Sequence, residues 1–485
     1  MSNDKGYTTA RMLIDGELAE SLDGGWLETI DPSDEKPLGR VPSGSAADMA
    51  AAVAAAGRAQ PAWAALPVAA RIAYIRKLAD GISARAEEFA QIETRDTGNT
   101  IGPMRNDVTT AVERMQFFCG LAYEMKGETI PGTTPNLHFT QRVPYGVVGR
   151  IIPFNHPIGF AAARLAPALI AGNSIVIKPS EQSPLSAGML GELCAELLPR
   201  GVVNIVTGGR ETGEALVRHP KVKRIAFIGS AASGMAIQRA AAETSVKHVT
   251  LELGGKNPMV VFPDADLDRA VEAAVQGMNF GWSGQSCGST SRLLVHDSIH
   301  DEVLERVLAR VRRIKVGHPL DPSVTMGPMN SRAQYDKTLS YIRLGQEEGA
   351  RLVLGGGRPQ GEQFARGFWV EPTVFDGVDM SMRIAREEIF GPVLSVLRWK
   401  EPDEAVAMAN DVDYGLTAAV WTRDIDSALR MAHRIDAGYV WVNGVGTHFR
   451  GVPYGGLKNS GVGREEGLEE MLSYTEIKVI NILVK

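Results

Sequence analysis

Val147-Val148-Gly149-Arg150-Ile151-Ile152, Ser174-Ile175-Val176-Ile177, Val202-Val203-Asn204-Ile205-Val206 and Arg224-Ile225-Ala226-Phe227-Ile228 are short apolar runs rich in β-branched residues. Runs of this kind read as strands covered on both faces. Between them, Gly159 to Leu169 and Ser186 to Leu197 carry apolar residues at three- and four-residue spacing, the period of a helix. The alternation predicts a parallel sheet with helices on both sides, an α/β fold.

The pattern resumes after Glu252. Met259-Val260-Val261-Phe262, Arg292-Leu293-Leu294-Val295, Val393 to Trp399, Leu416 to Trp421 and Tyr439 to Val442 read as strands, and Asp301 to Ile314 as a helix. A second open parallel-sheet lobe is expected. It agrees with a length of 485 residues, more than one core usually organises. The first hundred and twenty residues read as mainly helical, with Ala47 to Ala59 and Ala69 to Thr94 the clearest stretches. Two segments fit neither lobe: Gly127 to Tyr145, an exposed hairpin in pattern, and the alternating Tyr474 to Val484. Edges of that kind seek a partner. They read as an oligomerisation arm or as a hairpin packed on its own chain.

Hydrophobic residues make up 44% and charged residues 22%, the balance of a globular protein. Lys+Arg 51 against Asp+Glu 57 gives a net charge of −6, which argues against nucleic-acid binding. No apolar run is long enough to span a membrane, and Met-Ser-Asn-Asp-Lys lacks the apolar core of a signal peptide. Cys119, Cys194 and Cys287 are too few for a disulfide framework, so a reducing, cytoplasmic setting is expected. Cys119 and Cys194 lie in apolar helical stretches and read as packing residues. No Cys/His spacing indicates a metal site.

Cys287 differs. It stands in Gly284-Gln285-Ser286-Cys287-Gly288, where small neighbours leave a thiol open to an electrophile. Thirty-five positions upstream, Leu251-Glu252-Leu253-Gly254-Gly255-Lys256 supplies a carboxylate able to deprotonate water. Pro153-Phe154-Asn155-His156-Pro157 puts a side-chain amide on a rigid turn, where it can donate to an oxyanion. Lys178-Pro179-Ser180-Glu181 follows a strand at the carboxyl edge of the sheet, where open α/β sheets bind ligands. Phe227-Ile228-Gly229-Ser230-Ala231-Ala232-Ser233-Gly234 follows another and offers helix amides to a pyrophosphate. The dinucleotide fingerprint Gly-x-Gly-x-x-Gly is absent.

Together with Glu387-Glu388-Ile389-Phe390-Gly391-Pro392 and the late Pro453-Tyr454-Gly455-Gly456 to Glu465 stretch, these segments resemble the aldehyde dehydrogenase superfamily over essentially the whole chain. The resemblance implies an NAD-binding domain from residues 1–125 and 146–253, a catalytic domain from 254–456, and an arm from 126–145 and 470–485. It implies a non-acylating, NAD-dependent enzyme acting on a small-molecule aldehyde, assembled as a homodimer or homotetramer. Cys287 would attack the aldehyde, Asn155 would help hold the oxyanion, and Glu252 would activate the water that hydrolyses a thioester. The pocket then has to raise the thiolate fraction, through the cofactor's positive charge and nearby amides.

Cofactor contacts implied are Ile152, Phe154, Lys178, Ser180, Glu181, Gly213, Gly229, Ser230, Gly234, Leu253, Glu388 and Phe390. Glu181 favours NAD over NADP, because its charge would repel a 2′-phosphate. Ile228 stands where the family usually has threonine, and Tyr454 where phenylalanine is commoner. The substrate pocket implied comprises His156, Phe160, Ala163, Gly281, Ser286, His448, Arg450 and Tyr454. At His156, Ala163, Gly281 and His448 the family commonly has bulky aromatics, so a wider, more polar tunnel for a bulky or polar aldehyde is expected, with Arg450 able to meet a distal carboxylate. The alternative is that loops refill the space and the histidines face solvent. A CoA-acylating semialdehyde dehydrogenase is disfavoured by Glu252, and a non-catalytic protein keeping the fold by the three intact catalytic positions.

Overall fold

The computed structural model describes residues 2–4 and 7–484. Met1, Lys5, Gly6 and Lys485 fall outside, and with them part of the N-terminal stretch and the last residue of the expected arm. An eight-stranded sheet runs in the order Glu17–Ala19, Met12–Ile14, Val203–Ile205, Ser174–Lys178, Val147–Ile151, Val222–Ile228, His248–Glu252, Gly461–Val462. Its five central strands are parallel and its edges antiparallel. Val147 and Val176 point into one helical layer while Val148, Ile175 and Ile177 point into the other. Period-two side chains buried on both faces explain the continuous apolar runs.

A seven-stranded sheet forms the second lobe, in the order Arg351–Leu354, Thr373–Asp376, Val393–Trp399, Arg292–His296, Pro258–Val261, Thr417–Trp421, Tyr439–Val442. All of its pairings are parallel except that of Arg351–Leu354. Met259 and Val261 enter one apolar cluster and Val260 the opposite one, so this sheet too is covered twice.

The helices expected over Ala47 to Ala59 and Ala69 to Thr94 are present as Ala46–Ala65, Val68–Ala84 and Ala86–Thr97. Ahead of them, where no strand was expected, the described residues form six short strands, four of them in a separate small sheet. The helix Ala46–Ala65 opens at Ser45, which forms a capping box with Asp48. The helix expected over Gly159 to Leu169 is two, Pro157–Ala162 and Leu165–Ile170, broken where Arg164 turns its guanidinium into a buried acidic cluster. Thr129–Ile130, Leu137–Pro144 and the C-terminal Thr475–Ile482 make a three-stranded antiparallel sheet. Thr475–Ile482 lies at its edge and exposes Ile477 and Val479. No helix among the described residues is long and apolar enough to cross a membrane.

Candidate active site

Cys287 lies on the loop between the helix Leu267–Gln276 and the strand Arg292–His296. Asn279, Ser283 and Gly284 take φ values of 54°, 52° and 71°, coiling the loop tightly. A Cβ at Gly284 would run into the Gly391 carbonyl, so only glycine serves there. Asn257 Nδ2 donates to the carbonyls of Cys287 at 2.7 Å and Ser289 at 3.0 Å, fixing the loop's exit. The thiol is half-buried, with Sγ 4.0 Å from Tyr454 Oη. Burial, then Glu388 and Glu252, push its pKa up to about 12, while Tyr454 Oη and the Gly288 backbone act in the thiolate's favour. The protein's own carboxylates thus work against the ionised thiol that the sequence reading requires. Cys119 and Cys194 are buried on the helices Ile101–Leu121 and Leu185–Leu197, in apolar surroundings.

Glu252 ends the strand His248–Glu252. Its carboxyl is buried, makes no hydrogen bond among the described residues, and leaves Oε2 without a partner. Burial, reinforced by repulsion from Glu465, raises its pKa well above the carboxylate range. Asn155, four residues past the strand Val147–Ile151, donates through Nδ2 to the Gln285 carbonyl at 3.0 Å. One proton of that amide is therefore engaged and the other available. The Asn155 carbonyl accepts from Asn99 Nδ2 at 2.9 Å, which holds the turn.

The cofactor candidates line the carboxyl edge of the first sheet. Lys178 Nζ meets Glu181 Oε2 at 2.8 Å, the lysine buried and the glutamate side chain 47% exposed. Against the upward push of burial, Lys178 holds the Glu181 carboxyl below its ordinary pKa. Ser180 Oγ accepts from the Gln182 amide at 3.2 Å. Gly213 faces Ile151 and Lys178 with no atom nearer than 3.9 Å to a Cβ built on it, which leaves room for a flat group. Ser230 caps the helix Ala231–Ala242, whose first turn is solvent-facing, and a Cβ at Gly234 would press on Leu253. Exposed amides there suit a pyrophosphate. Ile152 is buried in the core beneath, its amide bonded to the Lys178 carbonyl at 3.1 Å. Phe154 and Phe390 meet edge-on with centroids 5.8 Å apart. Glu388 accepts from the Gly255 amide at 2.9 Å and leaves no space for a Cβ at Gly254. Gly255, Gly284, Ser286, Glu388 and Phe390 surround one cavity. This edge fits a dinucleotide.

The substrate candidates divide. His156 is held by Asp107, Nδ1 to Oδ2 2.7 Å, and packs against Phe160 at 5.4 Å and Trp282 at 5.3 Å. His448 bonds Glu466 at 3.0 Å and its ring lies 4.5 Å from Tyr454. Two of the positions expected to widen the tunnel are closely packed. A Cβ at Gly281 would meet Pro103 at 2.9 Å, because the start of the helix Ile101–Leu121 already fills that space. Ala163 is fully buried in the helical core. Arg450 is engaged by Glu113 at 2.7 Å in an exposed ion pair.

Behind the thiol lies a cluster absent from the sequence reading. Arg150 reaches Glu465 at 3.0 Å, and Arg164 reaches Glu465 at 3.0 Å and Glu470 at 2.5 Å. Arg114 reaches Glu466 at 2.7 Å. Trp282, five residues before Cys287, and Asn99 were also missed. Lys256 was missed too: it is buried with Nζ unpartnered, and burial brings its pKa down to about 7. The Trp282 spacing is the one local signal that pointed to any of these. Among the described residues no group of His, Cys, Asp and Glu is arranged to hold a metal.

The pattern of the aldehyde dehydrogenase family matches residues 20–480. The aldehyde dehydrogenase tropH of Talaromyces stipitatus is 45% identical over 478 residues, 97% of this chain and 93% of that protein. PnpE from Pseudomonas sp. WBC-3 superposes with a TM-score of 0.95 at 40% identity, covering 98% of both chains. A structure of PnpE in complex with nicotinamide adenine dinucleotide gives 0.96 at 41% identity, with 98% of each chain covered. An NAD-dependent aldehyde dehydrogenase from Sinorhizobium meliloti gives 0.95 at 40%, covering 98% of this chain and 95% of that one. With two largely parallel sheets and a family match over nearly its whole length, the chain belongs to the aldehyde dehydrogenase family.

Proposed function

We propose that the chain oxidises an aldehyde to its carboxylic acid with NAD, through a thioester on Cys287. The observation that carries this reading is a half-buried Cys287 whose loop is hydrogen-bonded by the Asn155 amide, which keeps a spare proton, and whose thiol feels the buried Glu252 carboxyl, which makes no hydrogen bond among the described residues. Cys287 Sγ, as thiolate, attacks the aldehyde carbon, forming a C–S bond and moving the carbonyl electron pair onto oxygen. The free Asn155 N–H and the Cys287 backbone N–H donate to that oxyanion. Lys178 and Glu181 would hold the adenosine ribose, Gly229, Ser230 and Gly234 the pyrophosphate, and Glu388 and Phe390 the nicotinamide side. A nicotinamide held there would supply the hydride acceptor for the two-electron oxidation of the Cys287 thiohemiacetal to the thioester. Glu252 then takes a proton from water, whose oxygen attacks the thioester. The C–S bond breaks, Cys287 leaves as thiolate, and the acid departs. The raised pKa of Glu252 makes its carboxylate a stronger base toward water than an exposed one.

The substrate is a bulky or polar aldehyde, a reading supported by His156 and His448 among the aromatic rings of Phe160, Trp282 and Tyr454. Residues 1–125 and 146–253 form the cofactor domain, 254–456 the catalytic domain, and 126–145 with 470–485 the arm. The exposed apolar edge Thr475–Ile482 is the surface on which two or four copies assemble. Three unpaired cysteines agree with a reducing, cytoplasmic setting.

Cys287→Ala tests the reading. Aldehyde-dependent NADH formation should fall by on the order of 10⁴ or more, with NAD binding nearly unchanged. Iodoacetamide should label Cys287 first, through access rather than acidity. Labelling of Cys119 or Cys194 in step with loss of activity would sink the assignment.

A further inference from the structure

We infer that the Tyr454 hydroxyl is a catalytic hydrogen-bond donor to the Cys287 sulfur, stabilising the thiolate before attack; this rests on the reading of Cys287 as the nucleophile. Tyr454 is 6% exposed, so its phenol O–H has to find a partner inside the protein. The partner it finds is Sγ of Cys287, 4.0 Å away. No other hydrogen bond is made by this hydroxyl among the described residues.

The ring has little freedom to leave. Tyr454 and Glu465 exchange two backbone hydrogen bonds, Tyr454 N to Glu465 O at 2.8 Å and Glu465 N to Tyr454 O at 2.7 Å. The His448 and Tyr439 rings pack against it, tilted, with centroids 4.5 Å and 5.5 Å away. His448 is itself held by Glu466, which is paired with Arg114. The phenol is thus fixed from three sides with its oxygen beside the sulfur, where it can donate to a thiolate, which has no proton of its own to give.

A neutral thiol gains little from such a donor, whereas a thiolate gains a charge-assisted bond. Glu388 and Glu252 push the thiol toward its neutral form, so a donor at the sulfur has a defined task. The groups facing Sγ are then Glu388 and Glu252 against ionisation, and Tyr454 Oη and the Gly288 N–H in its favour. A phenylalanine here would preserve the ring stack and lose the donor.

The test is the rate of iodoacetamide alkylation at Cys287 near neutral pH, where it follows the thiolate fraction, read by peptide mass spectrometry on the full-length enzyme without cofactor. Tyr454→Phe should slow alkylation about tenfold, which corresponds to an upward shift of about one unit in the thiol's pKa. Replacing Tyr454 by a fluorotyrosine, a more acidic donor of nearly the same size, should speed it. Unchanged rates in both, with the fold intact by circular dichroism, overturn the proposal. Slowing in both variants means a packing role and overturns it equally. If Cys287→Ala keeps full activity while Tyr454→Phe slows alkylation and fluorotyrosine speeds it, the nucleophile assignment fails and the hydrogen bond stands.

Discussion

Glu252 and Glu465 are both buried carboxyls on neighbouring strands or turns, since His248–Glu252 pairs with Gly461–Val462, yet their surroundings are opposite. Glu465 has one oxygen on Arg150 and the other on Arg164. Against the upward push of burial, those two guanidiniums keep it ionised. Glu252 has no hydrogen bond among the described residues, and burial drives its pKa up. Desolvation acts on both; the supply of partners decides the outcome. A fully partnered carboxylate holds a fold together and is useless as a base. An unpartnered one is costly to bury and can take a proton from water.

The comparison breaks most visibly if Glu252 loses its charge. Glu252→Gln should permit one burst of NADH per active site and then slow turnover by on the order of 10³ to 10⁴. In the wild type, thioester hydrolysis should rise with pH through the raised Glu252 pKa, because the base works only when deprotonated. The variant's residual rate should be flat there. Stopped-flow NADH absorbance reads both; a variant without a burst, and less stable, would make Glu252 a support for Gly254-Gly255.

The paired cluster should answer in stability instead of chemistry. Arg164→Met leaves Glu470 and part of Glu465 unneutralised, a change worth about 3–5 kcal/mol when a buried pair is broken. The half-life at elevated temperature should fall steeply while the NADH burst per folded site persists. Against burial, Arg114 and His448 hold Glu466 at about 2, below its unfolded value of about 4.3. Its stabilisation is therefore present above about 4.3 and lost as pH falls toward 2. Glu466→Gln should flatten acid inactivation across that window.

Asn155→Ala sharpens the contrast from the electrophile's side. Losing one oxyanion donor should slow the burst itself by on the order of 10² to 10³, leaving hydrolysis of a preformed acyl-enzyme less affected. A slower burst separates this residue from Glu252, whose loss stops the cycle one step later.

The strands were legible because a twice-covered parallel strand is a continuous apolar run, and Val147 to Ile152 could be little else. The N-terminal strands were not. Met12–Ile14 is three residues long, pairs with the equally short Glu17–Ala19 across a tight turn, and joins the large sheet through Val203–Ile205, far along the chain. The break at Arg164 defeated the helical period, since its buried partners Glu465 and Glu470 lie some three hundred positions away. Arg450 and His448 were visible as charges, yet Glu113 and Glu466, which engage them, were not. A glycine such as Gly281 shows that no side chain is present, and nothing of Pro103, which fills the space. Motifs at strand ends could be read because the sheet delivers them; side chains satisfied by distant partners could not.

The smallest expected effect concerns cofactor choice, where Glu181 stands between the two cases: neither unpartnered nor fully matched. Its Oε2 touches Lys178 Nζ at 2.8 Å while the side chain is 47% exposed. At an effective dielectric of about 20, charges some 4 Å apart interact by about 4 kcal/mol. Lys178 offsets part of the glutamate's repulsion toward a 2′-phosphate, and an exposed side chain can swing aside. A preference for NAD of about tenfold, near 1.4 kcal/mol, is therefore expected in kcat/KM. Glu181→Gln removes the repulsion and frees the Lys178 ammonium, so the gap should narrow chiefly through better use of NADP. Lys178→Met should impair both cofactors and widen the gap, because the remaining carboxylate is then unopposed. Both cofactors are measured with one aldehyde for the wild type and both variants. Equal use by the wild type, or a Glu181→Gln enzyme whose ratio does not move, would mean that this pair does not read the adenosine ribose.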